Sequence, residues 1–523
     1  MKKYLLLIIL SVSTTNSHAQ EPVLMEGWPV LIHEGSILGS PLQGLTIYDI
    51  DANGTQEIFF GFRQKIHAYD FLGNSLSGWP YIDSNPDTKF YNSPIIGDID
   101  GDNRPEIVDD WINLSDNTSY LLALNDDGGI CAGFPVELMG GSMSNQLSLF
   151  DLDNDGSMEI IVGAHRRYPF SSHQLRVYRG NGELYGGWPV EGINAGGFAV
   201  GDIDNDEHPE IVVTAYDGFL FAFEANGSLL EGFPVTVGAL NDSVIIDGPP
   251  ALFDLEQDGT LEIALLYGIP RYPPPLTQGY VTIYNHRGDE LTPWPYYYEI
   301  WSPVSLSVGN DVSDNRNYLA FGGTYNGQFL LVDALAGEVL DGWPFYTPHP
   351  AGCNWDKPSI GDIDGDGSPD YLFNYNVETR DSITGLYQGR IWALNKGGEL
   401  LEHFPLWVYG CTFPGGIALG DVDNDGVVEM VFHSKYSAGG RPTQRIYLYK
   451  LQGVPYIPER FPWPMSSHDP QHTNNLHHPI QTSVREDKPS LPAVVTLTNH
   501  PNPFNSATVI EYAVEEKGEV LLE

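Results

Sequence analysis

Cysteine is nearly absent: three residues in 523, too few for a disulfide framework. Bases are scarce as well, with 25 Lys and Arg against 69 Asp and Glu and a formal charge of −44. No basic stripe exists to displace phosphate counterions, which excludes nucleic acid as a partner. Past the N-terminus no run approaches the ~20 apolar residues of a membrane helix, and long helical periodicity is missing. What is abundant is Gly (57), Pro (39) and aromatics (12%), a profile of many short strands joined by turns.

The acidity is not spread evenly. Gly361 to Phe373 reads GDIDGDGSPDYLF, with Asp362, Asp364 and Asp366 at alternate positions, then Gly367 and Asp370. A glycine turn lets alternate carboxylates fold around one point, where a hard cation wanting six to eight oxygens can sit; calcium is the commonest fit. An apolar β-type run follows at once, so the loop links two strands and is not an EF-hand. Intact copies begin at Asp49, Asp98, Asp151, Asp202, Asp254, Asp362 and Asp421, and a worn copy lies near Asn310, where Val312 and Tyr318 replace ligands. The intact loops hold 27 of the 69 acids; outside them 42 acids face 25 bases.

A second marker keeps the same beat. Trp28-Pro29, Trp79-Pro80, Phe134-Pro135, Trp188-Pro189, Phe233-Pro234, Trp294-Pro295, Trp343-Pro344, Phe404-Pro405 and Trp463-Pro464 recur with the loops. Each unit of about 50 residues reads as four short antiparallel strands with the acidic loop between the first two, which makes a propeller blade. The expectation is an all-β chain, a β-propeller of eight four-stranded blades, with seven plus a divergent unit as the alternative. The early marker at Trp28 is expected to close the ring onto the last blade. Proline fits the outer edge, where no ladder donor is needed.

The D-x-D-x-D-G-x-x-E/D loops followed by a strand resemble the FG-GAP/VCBS repeat family, which includes the propeller of integrin alpha subunits. The resemblance runs roughly from Pro22 to Asn475. It implies several structural calcium ions and roles mostly in adhesion and recognition, although enzymes also occur. Ligand positions match cleanly at Asp151, Asp153, Asp155 and Glu159; at Asp362, Asp364, Asp366 and Asp370; and at Asp421, Asp423, Asp425 and Glu429. The other sets depart from the pattern. They are Asp49, Asp51, Asn53 and Glu57; Asp98, Asp100, Asp102 and Glu106; Asp202, Asp204, Asp206 and Glu210; and Asp254, Glu256, Asp258 and Glu262. Asn53 replaces a carboxylate, Glu256 is a longer arm, and Asn103 and Glu207 stand where glycine is expected. Glu207 is the harder to accommodate and predicts a distorted site.

Loops opposite the acidic face are longer and hold eight of the 25 bases, and the blade entries there add Tyr297. Arg166, Arg167, Arg271, Trp301, Trp355, Lys357, Trp407 and Arg441 are the candidates for a ligand face suited to a glycan or an acidic protein patch. The bland alternative is that the arginines pair with nearby acids. The pair His468 and His472 has zinc spacing, but no third ligand is evident and the segment reads as closure structure. Cys353 and Cys411 stand at equivalent places in successive repeats, so one bridge and two buried thiols are both open.

At the N-terminus, Lys2-Lys3, the apolar stretch Leu5 to Val12 and Ser17-His18-Ala19 read as a secretory signal over 1–19. The propeller is expected over 20–475 and a polar linker over 476–493. A truncated Ig-like segment is expected over 494–523, where Asn499 to Asn505 (NHPNPFN) resembles the opening of a type IX secretion sorting domain. The overall reading is a secreted or cell-surface adhesion or recognition module with a glycan or protein partner. The rivals are a calcium-dependent polysaccharide lyase, with Lys357 and His165 as weak base candidates, and a structural scaffold. No G-x-S-x-G elbow or H-E-x-x-H helix is present.

Overall fold

The computed structural model describes residues 7–8, 21–33, 44–90, 92–138, 144–164, 174–238, 244–246, 248–270, 277–298, 305–322, 327–348, 357–380, 387–412, 415–438, 441–480, 496–500 and 508–513. The chain forms two compact units, Ala19–Val484 and a smaller one from Met1–His18 with Arg485–Glu523. In the smaller unit Thr508–Ala513 pairs antiparallel with both Leu7–Ile8 and Thr496–His500; most of the NHPNPFN signature lies outside the described residues.

The larger unit is a propeller of eight antiparallel sheets. Blade four shows the plan: Ala195–Gly201, Glu210–Ala215, Phe219–Glu224 and Val235–Thr236, innermost to outermost, each strand pairing with the next. Second strands such as Glu57–Phe62 and Glu210–Ala215 are buried at every residue. They are covered on both faces by neighbouring blades, which is why they read as near-continuous apolar runs and do not alternate. The early marker closes the ring as expected. Val23–Leu24 and Val30–His33 pair with Arg441–Pro455, so blade eight is built from both ends of the propeller.

The Trp/Phe-Pro marker proves to be a joint between blades. Its bond is cis at the eight positions from Trp28 to Phe404. Wherever a tryptophan stands there, its indole N–H donates to a turn carbonyl of the next blade. The pairs are Trp28 to Phe71 (2.7 Å), Trp79 to Asp126 (3.2 Å), Trp188 to Ala225 (2.8 Å), Trp294 to Ala334 (3.2 Å) and Trp343 to Lys396 (2.9 Å). At every one of these tryptophans but Trp294, which follows Pro293, the preceding glycine is forced by the same contact. A Cβ on Gly187, which sits at φ +99°, would lie 1.8 Å from the Asn226 carbonyl oxygen of the next blade.

The ninth marker behaves differently. Trp463-Pro464 belongs to a segment that runs along the ring axis and takes backbone N–H groups from six inner strands. Ile360 donates to Trp463, Leu419 to Pro464, Ile96 to Pro470, Leu149 to Gln471, Val200 to Thr473 and Leu252 to Asn474, all at 2.7–3.0 Å. Within it Asp469 accepts from the Thr473 N–H at 3.1 Å and lies 2.9 Å from His468 Nδ1. His468 and His472 therefore sit in a plug, as the closure reading expected. The His472 ring is half-buried, and loss of solvation pushes it down to about 4.

The joint yields a paired prediction. Gly187→Ala should lower stability by more than about 2 kcal/mol, because both the positive φ and the contact are lost. Gly186→Ala, where an added Cβ meets nothing within 4 Å, should stay within about 0.5 kcal/mol of the parent. Urea unfolding of the two variants checks this, and equal effects would contradict it.

Candidate metal centres and the outer rim

Seven loops share one hydrogen-bonded frame. The first aspartate accepts the N–H five residues on: Gly54 to Asp49 (2.8 Å), Asn103 to Asp98 (2.8 Å), Gly156 to Asp151 (2.9 Å), Glu207 to Asp202 (2.8 Å), Gly259 to Asp254 (2.9 Å), Gly367 to Asp362 (3.0 Å) and Gly426 to Asp421 (2.9 Å). The last acid reaches back to the N–H after the first aspartate, as Glu210 does to Ile203 (2.9 Å) and Asp370 to Ile363 (3.0 Å). Glu207 adopts φ +72° and Asn103 φ +63°. The fourth loop keeps the common frame and is not distorted there, because its hydrogen bonds hold the glutamate in the left-handed region.

The frame gathers carboxylate oxygens. Ligand atoms of Asp49, Asp51 and Glu57 lie within 4.8 Å of one another. So do those of Asp98, Asp100 and Glu106; Asp151, Asp153 and Glu159; Asp202, Asp204 and Asp206; and Asp362, Asp364 and Asp370. Such clusters are able to hold ions. In the fourth loop Asp204 Oδ1 and Glu210 Oε1 are buried with no hydrogen-bond partner among the described residues, as are Asp423 Oδ1 and Glu429 Oε1 in the eighth, donor capacity that a cation would use. Burial, reinforced by the neighbouring carboxylates, pushes Glu57 and Glu106 up to about 8 and Glu210 up to about 9. Asp370 is driven well above the carboxylate range for the same reasons.

The loops differ in the bases beside them. Among the described residues no Lys or Arg side chain forms an ion pair with the carboxylates of the loops at Asp49, Asp98, Asp202 or Asp254; Arg104, within the second loop, turns its guanidinium to Asp126. At the third loop Arg179 lies 3.4 Å from Asp153 and 3.7 Å from Glu159, and at the seventh Arg460 lies 2.9 Å from Asp362. In the eighth, Lys450 sits among the donors themselves. The worn sixth loop is shorter than its sequence suggested. Asn310 pairs with Asn317 across the strands, so Asp311 and Asn317 take the first and last positions, and Tyr318 lies beyond them.

The ligand-face residues are scattered. Arg166, Arg167, Arg271, Trp301 and Trp355 lie outside the described residues, as do His165 and Cys353. Arg441 is in the third strand of blade eight. Lys357 turns to the axial plug, with its ammonium on Asn474 and, at 3.2 Å, on Ser467; burial lowers it to about 7. Trp407 is 53% exposed on the outer strand of blade seven, and the Arg390 guanidinium stacks on it at 3.7 Å.

Sequence reasoning picked out Tyr297 and Trp407 on the ligand face but missed the rest of that rim. Two residues after the cis proline, blades five, six and seven present Tyr297, Tyr346 and Trp407, and blades eight and one present Leu31 and Ile82; all five are exposed. Blades two, three and four carry exposed Glu137, Glu191 and Thr236 there. Counting from each proline would have revealed the arc.

A family model described as an FG-GAP-like repeat matches residues 151–213, from the third acidic loop into the second strand of blade four. No curated protein matches the chain. The solved structure of the V. cholerae biofilm matrix protein Bap1 is 14% identical, with 84% of this chain and 92% of that one covered and a TM-score of 0.39. Quinohemoprotein alcohol dehydrogenase from Comamonas testosteroni is 13% identical over 77% of this chain and 66% of its own, with a TM-score of 0.40. Neither likeness says what this chain binds.

The raised glutamates fix the sign of a pH effect. Each holds its proton more tightly folded than unfolded, so the metal-free fold is most stable at acid pH and weakens as pH climbs toward the folded values. In chelator the melting midpoint should fall between pH of about 5 and about 9, and calcium should flatten that slope. A midpoint that rises with pH in chelator would contradict the assignment.

Proposed function

We propose that this chain, a β-propeller of FG-GAP-like repeats, is a calcium-stabilised adhesion or recognition module that works outside the cell. The observation that carries the reading is the aromatic arc on the rim. Three exposed rings recur at one structural position in successive blades, with Arg390 stacked on Trp407. Single exposed apolar residues are ordinary, but a row in register on a rigid scaffold marks an interaction surface. Flat exposed aromatic faces suit a glycan or a protein surface, and Arg390, only 7% exposed, braces the Trp407 ring from beneath. The axis does not compete for this role, since the plug takes up its inner strands.

Calcium is the cation the donor set favours. The sites offer only oxygens, most of them carboxylates, on loops between strands, which is hard-cation chemistry. The residues that would hold it most freely are those at Asp49, Asp98, Asp202 and Asp254, where no base intervenes. When bound it would neutralise each cluster and tie the first two strands of a blade together. The placement outside the cell rests on the signal-like start over 1–19; the resemblance at Asn499–Asn505 would fit export by the type IX route.

The rim is testable by paired variants. Tyr297→Ala, Tyr346→Ala and Trp407→Ala combined should weaken retention on immobilised polysaccharide or on cell-surface protein by at least about tenfold. Glu137→Ala with Glu191→Ala, on the polar arc, should leave retention unchanged. Equal retention of both variants on every surface that holds the parent would remove the reading.

A further inference from the structure

Two of the eight loops do not fit a metal ion, because the chain brings its own cation to each. In blade eight, Lys450 Nζ lies 2.6 Å from Asp423, 2.6 Å from Asp425 and 3.1 Å from Glu429. Three of the four residues that the repeat pattern assigns to a metal converge on one nitrogen. An ammonium has three N–H donors and no acceptor; Nζ donates to Asp423 Oδ2 and pairs with Asp425 and Glu429, while Asp423 Oδ1 and Glu429 Oε1 keep no hydrogen-bond partner among the described residues. Strand register puts it there: Lys450 is the direct cross-strand partner of Glu429, and such neighbours on one face meet. In blade four the partner of Glu210 is Glu224, so the arrangement does not come with the fold.

Blade six reaches the same end by another route. Its loop is two residues shorter and closes with Asn317, which bonds to Asn310 at 3.0 Å. A neighbouring blade supplies the charge. Lys396, in the turn between Asn395 and Gly398 of blade seven, places Nζ 2.9 Å from Asp311, on Asp314, and 4.5 Å from the Tyr318 ring. The Trp343 indole of blade six donates to the Lys396 carbonyl at 2.9 Å, so backbone and side chain of one residue both bind the adjacent blade.

We infer that Lys450 and Lys396 are built-in cations that take the place of calcium in blades eight and six. Blade eight is the one that closes the ring, and Lys450 itself pairs with Val23 of the N-terminal strand. Closure of the ring then needs no metal, and calcium dependence is confined to the other six loops. The inference rests on reading those six as calcium sites.

Equilibrium dialysis of the full chain against calcium, with melting in EGTA, tests it. Lys450→Met should bind one more calcium per chain than the parent and should melt several degrees lower in EGTA, with the loss restored by calcium. Lys396→Met should bind the same number as the parent, since its loop lacks the last carboxylate, and calcium should not restore its stability. Asp425→Asn in the otherwise native chain should leave the number of bound ions unchanged. A loss of one ion in Asp425→Asn would overturn the inference even if Lys450→Met failed to fold. So would a folded Lys450→Met with no added ion and no loss of stability in EGTA. A parent that binds no calcium would instead remove the reading of the six loops, and the EGTA melting of Lys450→Met would still decide the role of the lysine.

Discussion

Carboxylates brought to one point repel, and every blade of this ring has to answer that repulsion. Three charged oxygens within 4.8 Å of one another cost about 3 kcal/mol per pair at an effective dielectric near 20. The backbone N–H groups that face them return roughly 1.5–3 kcal/mol per bond, which offsets a full set of charges without leaving a clear surplus. A proton, a metal ion or a fixed ammonium then completes the loop. The chain carries signs of all three: buried glutamates that keep their protons, oxygen clusters with unused donors, and two lysines seated among acids.

The rest of the molecule makes those loops worth bracing. Each acidic loop sits where the buried second strand of a blade begins. Each blade is joined to the next by an aromatic residue before a cis proline, and at six of the eight joints by a glycine pressed onto the neighbour's turn. The axial segment then ties six inner strands together. Strain in one loop therefore reaches the packing of the ring. The rim is rigid enough to present aromatic side chains in register, which links the electrostatics of the loops to recognition at the edge.

Much of this was legible from sequence, because the repeat puts the same physics on the page eight times. Spacing favoured eight blades and left seven open; loop carboxylates, strand order and ring closure at Trp28 all follow from it. Three things did not. Lys450 and Lys396 act on acids 21 to 85 residues away in the chain, and only strand register and the packing of one blade on the next bring them together. The loops that match the family pattern most cleanly, at Asp151, Asp362 and Asp421, each have a side-chain cation in contact with their carboxylates, whereas among the described residues no ion pair is formed with the carboxylates of the irregular ones at Asp49, Asp98, Asp202 and Asp254. Trp463-Pro464 looked like one more blade marker, yet serves the axis, because no fourth strand follows it. Lys357 looked like a surface base, but the plug it contacts lies more than a hundred residues later.

The most direct measurement is anomalous diffraction from crystals of the full chain grown with a lanthanide in place of calcium. The account predicts strong peaks at the loops of Asp49, Asp98, Asp202 and Asp254, with none at Asp311 or Asp421. Loops without density throughout, or equal density at Asp421 with Lys450 swung away, would contradict it.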